Sequence, residues 1–433
     1  MHDDDFLLGV NYWPRRKAMY WWKDFDAGEV NDEFAQIAGL GVRLVRICLM
    51  WEDFQPEANR VDTRQLQNLG TVLNAAHGHG LRVTPTLLVG NMSNILWFPA
   101  WAFTDEPAAD GHALQITGGH YTDRRLRSPF EDQGMLRAEA MLAEQAAAAI
   151  AGHPALHSWD LANEIDQACS PSGPGAATQW ASRLVHAIHG VDPDVPVTYG
   201  AHHMSLDTHG LTIPALAPAL DYLCMHGYPI YSDIARGPLD TELVPYVTAL
   251  TASLGRKPTL MQEFGVCTAP TGVESHTVQD DFLGHMKPQF LASEEDEAAY
   301  YARVLDRLWQ TGAMGALAWD FADYPESLWD RPPLDRAKRE RTFGIFRANG
   351  SPKPAADVIA RFAEEVRSGS LTSRLGSHGE QRVELRADPD AYYVDPKRSY
   401  REMYATYLDK VGARDHAPGR GDAGEKEKYS RSQ

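Results

Sequence analysis

The sequence predicts an α/β protein, a (β/α)8 TIM barrel with long loop insertions and a C-terminal tail. Three observations predict this fold. Eight short runs rich in Val, Ile, Leu and Met recur along the chain, as is typical of parallel strands buried on both faces. Segments with helical periodicity separate the runs, and eight such units favour a closed barrel over an open sheet of five or six strands. The length of 433 residues, with 43% hydrophobic and 23% charged residues, is ordinary for a globular protein of this size.

The predicted strands follow one another at intervals close to one βα unit, with two exceptions. They are residues 7–11, 43–49, 82–88, 156–161, 196–200, 222–226, 259–263 and 315–319. The long intervals after the third and seventh strands predict insertions, which we assign to residues 91–129 and 267–293.

Three of the segments between the strands have the composition of helices. Residues 29–39, 63–79 and the alanine-rich 135–151 each end directly before or within two residues of a glycine, a common helix terminator. These helices complete the predicted βα alternation.

The composition changes at about Ser368, which divides the chain into three predicted parts. Residues 1–367 form the predicted barrel, residues 368–410 a C-terminal extension, and residues 411–433 a polar tail that we expect to be disordered. The tyrosines between 392 and 407 are numerous enough to dock on the barrel or on a second subunit, so a homo-oligomer is one possibility.

Charge and cysteine content limit the partners. The formal net charge of −18 disfavours nucleic acid, because a polyanion would be repelled. The four cysteines lack a C-x-x-C spacing and are predicted to be free thiols. Residues 1–5 are acidic where a secretory peptide is basic, and no run approaches the roughly 18 apolar residues of a membrane span, so we expect a cytoplasmic protein without membrane contact.

Two glutamates lie at the ends of strands on opposite sides of the predicted barrel. Glu164 follows the fourth strand and Glu263 ends the seventh, and catalytic side chains in this fold lie at the C-terminal ends of strands. Two carboxylates that face each other across a cavity can hydrolyse a glycosidic bond, one as the acid and the other as the nucleophile. A separation of about 5 to 5.5 Å would retain the anomeric configuration, and a wider one would invert it.

Other strand-end residues are the candidate sugar contacts. Arg46 and Tyr228 could keep Glu263 ionised, and Asn163 could bind the 2-hydroxyl of the sugar. Indole rings stack on the C–H faces of a pyranose, and Trp319 is the preferred candidate for the floor of the cavity. The further tryptophans near strand ends are Trp13, Trp51, Trp97 and Trp101.

Asn163-Glu164, His226-Gly227-Tyr228, Glu263-Phe264-Gly265 and Trp319 occur in this order after strands four, six, seven and eight. In these motifs the sequence resembles clan A glycoside hydrolases, most closely family 5, over residues 6–367. The resemblance implies a retaining double displacement with Glu164 as acid/base and Glu263 as nucleophile. It also implies that Arg46, Asn163, His226, Tyr228 and Trp319 line the sugar subsite. After strand three this chain has Asn91 where the family commonly has a histidine.

The start of the chain, Gly9 to Arg16, and the segment Trp51 to Pro56 are similar to an exo-β-mannosidase branch of family 5. The two insertions could wall one end of the cleft with Trp97, Phe98, Trp101 and Phe103, which favours exo action. The function predicted is therefore a retaining exo-β-glycosidase, a β-mannosidase acting on short β-linked oligosaccharides, with no cofactor and no metal. A β-glucosidase, a β-galactosidase, an endo-β-mannanase and a non-catalytic carbohydrate-binding barrel are the alternatives.

Overall fold

A computed structural model describes residues 6–282 and 285–412 of the chain, and its centre is a closed barrel of eight parallel strands. In chain order the strands are β1 Leu7–Tyr12, β2 Leu44–Cys48, β3 Arg82–Val89, β4 Asn91–Met92, β5 Ile95–Trp97, β6 Phe103–Pro107, β7 Gln115–Thr117, β8 His120–Thr122, β9 Arg124–Leu126, β10 Trp159–Asn163, β11 Val197–Ala201, β12 Leu223–His226, β13 Thr259–Phe264, β14 His276–Phe282, β15 His285–Leu291 and β16 Gly315–Ala318.

The barrel consists of β1, β2, β3, β10, β11, β12, β13 and β16, each hydrogen-bonded to the next, and β16 closes the ring against β1. These strands coincide with the eight predicted runs, so the (β/α)8 fold is confirmed. The largest difference is at the fourth strand, which spans Trp159–Asn163 and not residues 156–161. Leu156 makes only an isolated bridge to Val83 before the ladder begins.

Helices surround the barrel. They are α1 Ala27–Gly39, α2 Trp51–Phe54, α3 Thr63–Gly78, α4 Gln133–Ile150, α5 Pro174–His189, α6 Met204–Asp207, α7 Ile213–Leu216, α8 Leu243–Gly255, α9 Glu294–Thr311, α10 Pro354–Ser368, α11 Ser370–Leu375, α12 Pro389–Tyr392 and α13 Pro396–Lys410. Aspartates begin α1, α3 and α4, and each carboxylate accepts hydrogen bonds from two backbone N–H groups of the first turn. These three helices match the predicted ones to within two residues at each end.

The two predicted insertions form small antiparallel structures at the C-terminal end of the barrel. The first contains a four-stranded sheet, β4-β5-β7-β8, and the pair β6-β9. The second is the hairpin β14–β15. Both project from strand ends on the side where Glu164 and Glu263 lie, and both contribute residues to the cavity there.

The segment from residue 369 to residue 412 packs on the barrel. Leu371 is fully buried, and the ring of Tyr404 lies 4.7 Å from the ring of Tyr246 in α8. The hydroxyl of Tyr404 donates to Asp240, and that of Tyr407 donates to Glu242. The extension therefore docks on its own barrel, whereas nearly all of the predicted tail, residues 413–433, lies outside the described residues.

Within the described ranges, the search for helices long and apolar enough to span a lipid bilayer finds none. All four cysteines are free thiols, as their spacing predicts.

Candidate active site

Glu164 and Glu263 face one cavity at the C-terminal end of the barrel. Its volume is about 370 Å³, and both glutamates line it together with His226, Tyr228 and Trp319. One oxygen of Glu164, one oxygen of Glu263 and a ring nitrogen of His226 all lie within 4.8 Å of one another. The barrel thus brings together two carboxylates that are 99 residues apart in the chain.

The strands that carry these side chains are irregular where the side chains emerge. The parallel registers of β10, β12 and β13 shift within their last residues, next to Asn163, His226 and Phe264. Glu164 has a left-handed backbone, with φ 47° and ψ 38°, which is strained for a residue with a side chain. Such irregularities occur at functional sites, where they change the direction of a side chain that a regular strand would aim elsewhere.

Glu263 is surrounded by hydrogen-bond donors. Arg46 donates to Oε1 from a fully buried guanidinium, and the hydroxyl of Tyr228 donates to Oε2 at 2.8 Å. Arg46 is itself fixed by the oxygens of Asn11 at 3.0 Å and of Asn163 at 2.8 Å. A carboxylate that accepts from a guanidinium and a phenol is stabilised in its charged form.

Glu164 has a different set of neighbours. The side-chain amides of Asn91 and Gln167 donate to Oε2 at 2.9 and 2.5 Å, while Oε1 lies 2.6 Å from Nδ1 of His226. Because two N–H groups already point at Oε2, a proton on this carboxyl group belongs on Oε1.

The orientation of Gln262 determines how many protons His226 and Glu164 share. Nε2 of Gln262 donates to the Asp160 carboxylate at 3.3 Å, so its Oε1 faces Nε2 of His226 at 3.0 Å. An amide oxygen only accepts, and Nε2 of His226 therefore carries a proton. Between Nδ1 and Glu164 there is then room for one proton, and without it two acceptors would face each other at 2.6 Å.

Electrostatics favour that proton on the imidazole. Burial acts to raise the pKa of Glu164, but the charges of His202 and His226 and the bond from His226 outweigh burial and bring this pKa below its usual range. Burial acts to lower the pKa of His226, yet the charge of Glu263 and the contact with Glu164 raise it overall. Nδ1 of His226 and Oε1 of Glu164 therefore share one proton, which rests on the imidazole.

Glu164, His226 and Glu263 have the spacing of a metal site, but their surroundings do not suit a cation. The guanidinium of Arg46 already forms a salt bridge with Glu263, and the imidazolium of His226 lies 3.4 Å from the same carboxylate. Two positive charges within contact of a ligand would repel a divalent ion. These three side chains are therefore suited to acid–base chemistry and not to binding a metal ion.

Trp319 lines the cavity directly after β16, the strand that pairs with β13, and its backbone N–H donates to the oxygen of Phe264 at 2.9 Å. Its backbone oxygen approaches Gly265 so closely that a Cβ atom there would lie 2.2 Å away. Gly265, two residues after Glu263, is thus required by close backbone packing against Trp319 and not by chemistry.

A scan against models of protein families finds no match for the chain. Comparison with solved structures does. A family 5, subfamily 18 glycoside hydrolase from Streptomyces cattleya, in complex with GlcNAc, superposes with a TM-score of 0.74 and 21% identity over 95% of this chain and 92% of that one. A variant of the Streptomyces cattleya enzyme was solved with Manβ1-4GlcNAc. An exo-β-1,4-mannosidase from Opitutaceae bacterium strain TAV5 superposes with a TM-score of 0.67 and 25% identity over 84% of this chain and 60% of that one.

The chain has the fold of family 5 glycoside hydrolases. This confirms the fold that the strand-end motifs implied. Among curated proteins, the β-glucuronidase of Rattus norvegicus is 27% identical over 238 residues, which is 52% of this chain and 32% of that protein. The matched region thus spans about a third of the length of the curated relatives.

In this glycoside hydrolase fold, most of the predicted site residues lie around the cavity. Asn91, Asn163, His226, Tyr228 and Trp319 line it with the two glutamates, and Arg46 lies beneath it in contact with Glu263. The departure after strand three, Asn91, is bonded directly to Glu164. Their roles in catalysis and binding remain predictions.

The other tryptophans are not in the cavity lining. Trp13 and Trp51 are 1% exposed, Trp97 is 2% exposed, and the ring of Trp51 packs against Phe98 and Trp101 at 5.6 Å. The predicted aromatic wall is therefore corrected to a packed core beneath the first insertion, because large apolar rings fill the space behind the strand ends. The wall itself is formed mainly by polar residues of the insertion tips, among them Ser93, Asn94, Lys287 and Gln289.

Several residues of the site were not predicted from the sequence. Asp160 and Gln262 lie in the strand interiors, where a polar residue gives no sign of its partners, and Gln167 follows Glu164 in a short 3-10 turn. Glu340 and Arg339 line the cavity from a 3-10 turn, Lys338–Thr342, well after the last strand. The available signal was the position of Gln262, one residue before a predicted nucleophile.

Proposed function

We propose that the protein is a retaining exo-β-mannosidase that acts on short β-mannosides by double displacement, with Glu263 as nucleophile and Glu164 as acid/base. The observation that carries the proposal is the approach of the two carboxylates, with oxygens within 4.8 Å. This spacing agrees with the roughly 5 to 5.5 Å of retaining enzymes and is shorter than the roughly 6.5 to 9.5 Å that inverting enzymes need for a water molecule.

In the first step Glu263 attacks the anomeric carbon. Arg46 and Tyr228 donate hydrogen bonds to this carboxylate and fix its orientation, so that one oxygen is presented to the sugar. The bond from the anomeric carbon to the leaving oxygen breaks as the bond to Glu263 forms, which leaves a glycosyl ester on the enzyme.

The proton for the leaving oxygen comes from the Glu164–His226 pair. The imidazolium is stabilised by Glu263, whose Oε2 lies 3.4 Å from Nδ1. As Glu263 forms the ester its charge disappears, the imidazolium loses this support, and the proton passes to Glu164 and on to the leaving oxygen. In the second step Glu164 accepts a proton from the water molecule that hydrolyses the ester, and Glu263 is released.

Structural similarity and cavity shape support mannose and exo action. The neighbours include an exo-β-1,4-mannosidase and an enzyme solved with Manβ1-4GlcNAc. The cavity of about 370 Å³ has the size of a site for a small ligand, and the two insertions wall it, as a site for a terminal sugar requires.

The decisive variant is Glu263→Ala. It should lower turnover of an aryl β-mannoside by roughly four orders of magnitude or more, because no other group at this position can form the ester. Azide should restore part of the rate and yield the α-mannosyl azide, which nuclear magnetic resonance identifies. Glu297→Gln, which removes a buried carboxylate outside the cavity lining, is the control and should keep wild-type turnover. Unimpaired Glu263→Ala, or a product of β configuration, contradicts the assignment.

A panel of nitrophenyl β-glycosides tests the substrate. The mannoside should be the best substrate, ahead of the glucoside, the galactoside and the glucuronide that the curated relatives suggest. Binding of mannosides without cleavage of any member of the panel would favour a carbohydrate-binding barrel. The predicted cytoplasmic location and a homo-oligomer stay predictions, which cell fractionation and light scattering would test.

A further inference from the structure

One acidic side chain in the cavity wall has no role in the two chemical steps. Glu340 lines the same cavity as Glu263 and Trp319, yet it comes from the 3-10 turn Lys338–Thr342 and is 7% exposed. A buried carboxylate is unfavourable unless its charge is compensated, so this position asks for an explanation.

The contacts of Glu340 within the protein are long. Nε1 of Trp319 donates to Oε2 at 3.3 Å and the hydroxyl of Tyr231 to Oε1 at 3.4 Å, while Nε of Arg339 lies 3.7 Å from Oε1. Charge-assisted hydrogen bonds are ordinarily about 2.7 to 2.9 Å, and a carboxylate has about four acceptor sites. Glu340 is therefore oriented by its neighbours but keeps acceptor capacity towards the cavity.

Other polar atoms of this wall also lack partners. Oγ of Ser93 and Oδ1 of Asn91 are buried and form no hydrogen bond among the residues that the structure describes. The backbone oxygen of Ser93 accepts from Arg339, which places the tip of the first insertion beside the turn that carries Glu340. A ligand rich in hydroxyl groups would satisfy these atoms, as a sugar does.

We propose that Glu340 is a specificity-determining residue that accepts hydrogen bonds from the hydroxyl groups of the terminal sugar at the ring end remote from its anomeric carbon. The inference rests on the proposed function. Glu263 fixes the position of the anomeric carbon, and Trp319 supplies the surface beneath the ring. Glu340 lies at the indole N–H edge of Trp319. In the proposed binding mode, the hydroxyls on C4 and C6 of the stacked pyranose point towards this edge.

This contact would select for a free chain end. A sugar inside a β-1,4-linked chain has no hydroxyl on C4 to donate, and its substituent would collide with a wall that already contains Glu340, Arg339 and the tip of the first insertion. An acceptor left unpaired in a closed site discriminates strongly against the wrong ligand. Exo action then follows from one carboxylate as well as from the shape of the cavity.

The test compares Glu340→Gln with the wild type on four aryl β-mannosides, the parent compound and its 3-deoxy, 4-deoxy and 6-deoxy forms. We expect the variant to lower kcat/KM on the parent and on the 3-deoxy compound by about 10- to 100-fold, since a bond to a charged acceptor is lost. On the 4-deoxy or the 6-deoxy compound the loss should shrink to less than about 3-fold, because the hydroxyl that makes the bond is already missing.

Glu297→Gln is again the matched control, since it replaces a buried carboxyl group that does not line the cavity and whose oxygens have no hydrogen-bond partner among the described residues. Glu340→Asp is the second variant, for use if Glu340→Gln does not fold. Its carboxyl group is one methylene further from the cavity, and it should show the same pattern with a smaller loss. Equal losses on all four compounds, no loss on the parent, or a loss that disappears only on the 3-deoxy compound would overturn the proposal. A wild type that cleaves none of the compounds would instead refute the proposed function.

Discussion

The two carboxylates of the cavity are the same chemical group in contrasting surroundings. Glu263 accepts from a permanent cation, Arg46, and from a phenol, Tyr228. Glu164 accepts from two neutral amides and shares a proton with His226. The first environment fixes a charge, and the second stores a mobile proton.

This difference supports the proposed roles of the two glutamates without reference to any relative. A nucleophile must stay ionised and is best held by groups that do not change their own charge, as Arg46 does not. An acid/base must gain and lose one proton in each cycle, and His226 lies 2.6 Å from Glu164, close enough to supply that proton and take it back. The same comparison also says which substitutions should affect only one of the two carboxylates.

The largest effect within this comparison is expected for Glu164→Ala. Removal of the proton donor should lower kcat/KM by roughly 10² to 10⁴-fold for an alkyl or methylumbelliferyl β-mannoside, whose leaving group needs protonation. The dinitrophenolate group of a dinitrophenyl β-mannoside leaves without protonation, so the first step with this substrate should be nearly unchanged. Azide should speed the second step and give the β-mannosyl azide. Equal losses on both substrates would show that Glu164 does not act as the acid.

A smaller and more uniform effect is expected for Tyr228→Phe. The variant removes a donor from Glu263 and should lower kcat/KM by about 10- to 100-fold, to a similar degree for good and poor leaving groups, because the nucleophile serves both. Tyr324→Phe removes a comparable buried bond, from a tyrosine to Asp320, outside the cavity lining and should keep wild-type kinetics. A loss restricted to poor leaving groups would place Tyr228 on the side of the acid.

The sequence predicts the strands and the glutamates because both depend on local patterns. An apolar run of five residues forms a buried strand in this fold almost wherever it occurs, and a polar residue at its exit reaches the mouth of the barrel. Glu164 and Glu263 could therefore be placed from their position in the runs. The sequence also indicated Arg46 and Tyr228 as neighbours of Glu263. The contacts of Glu164 could not be placed, because Asn91 and His226 come from distant segments of the chain.

The errors concern residues whose role depends on packing. Trp51 and Trp97 follow strand ends as Trp319 does, yet only Trp319 reaches the cavity, because Gly265 allows the end of β16 to lie against it. Trp51 is covered by Phe98 and Trp101 of the first insertion, and Trp97 lies within this insertion, whose course no local pattern specifies. Glu340 was missed for the same reason, since a turn beyond the last strand gives no sign that it folds back over the cavity.

The smallest effect, and the most specific for the stored proton, is expected for Gln262→Met. Gln262 accepts from Nε2 of His226 and so keeps one proton on that nitrogen. If the wild type then loses the second proton, which His226 shares with Glu164, two acceptors are left 2.6 Å apart. This unfavourable contact makes the pair keep the shared proton up to a higher pH. Methionine offers no such acceptor, and His226 can then carry its remaining proton on Nδ1 and donate it to ionised Glu164.

The deprotonated, inactive form is thereby stabilised in Gln262→Met, and the basic limb of kcat/KM against pH should move down by about one unit. The acceptors and charges around the pair are otherwise kept, namely Glu263 and Arg46 beside His226 and His202 and His203 beside Glu164. Gln115→Met removes the hydrogen bond that the side-chain amide of Gln115 donates to the backbone oxygen of Arg124 in the first insertion. It should leave the basic limb of the pH profile in place. A uniform fall in rate at every pH, with the limb unmoved, would mean that Gln262 only fills space between Asp160 and His226 and that the proton is not held by this pair.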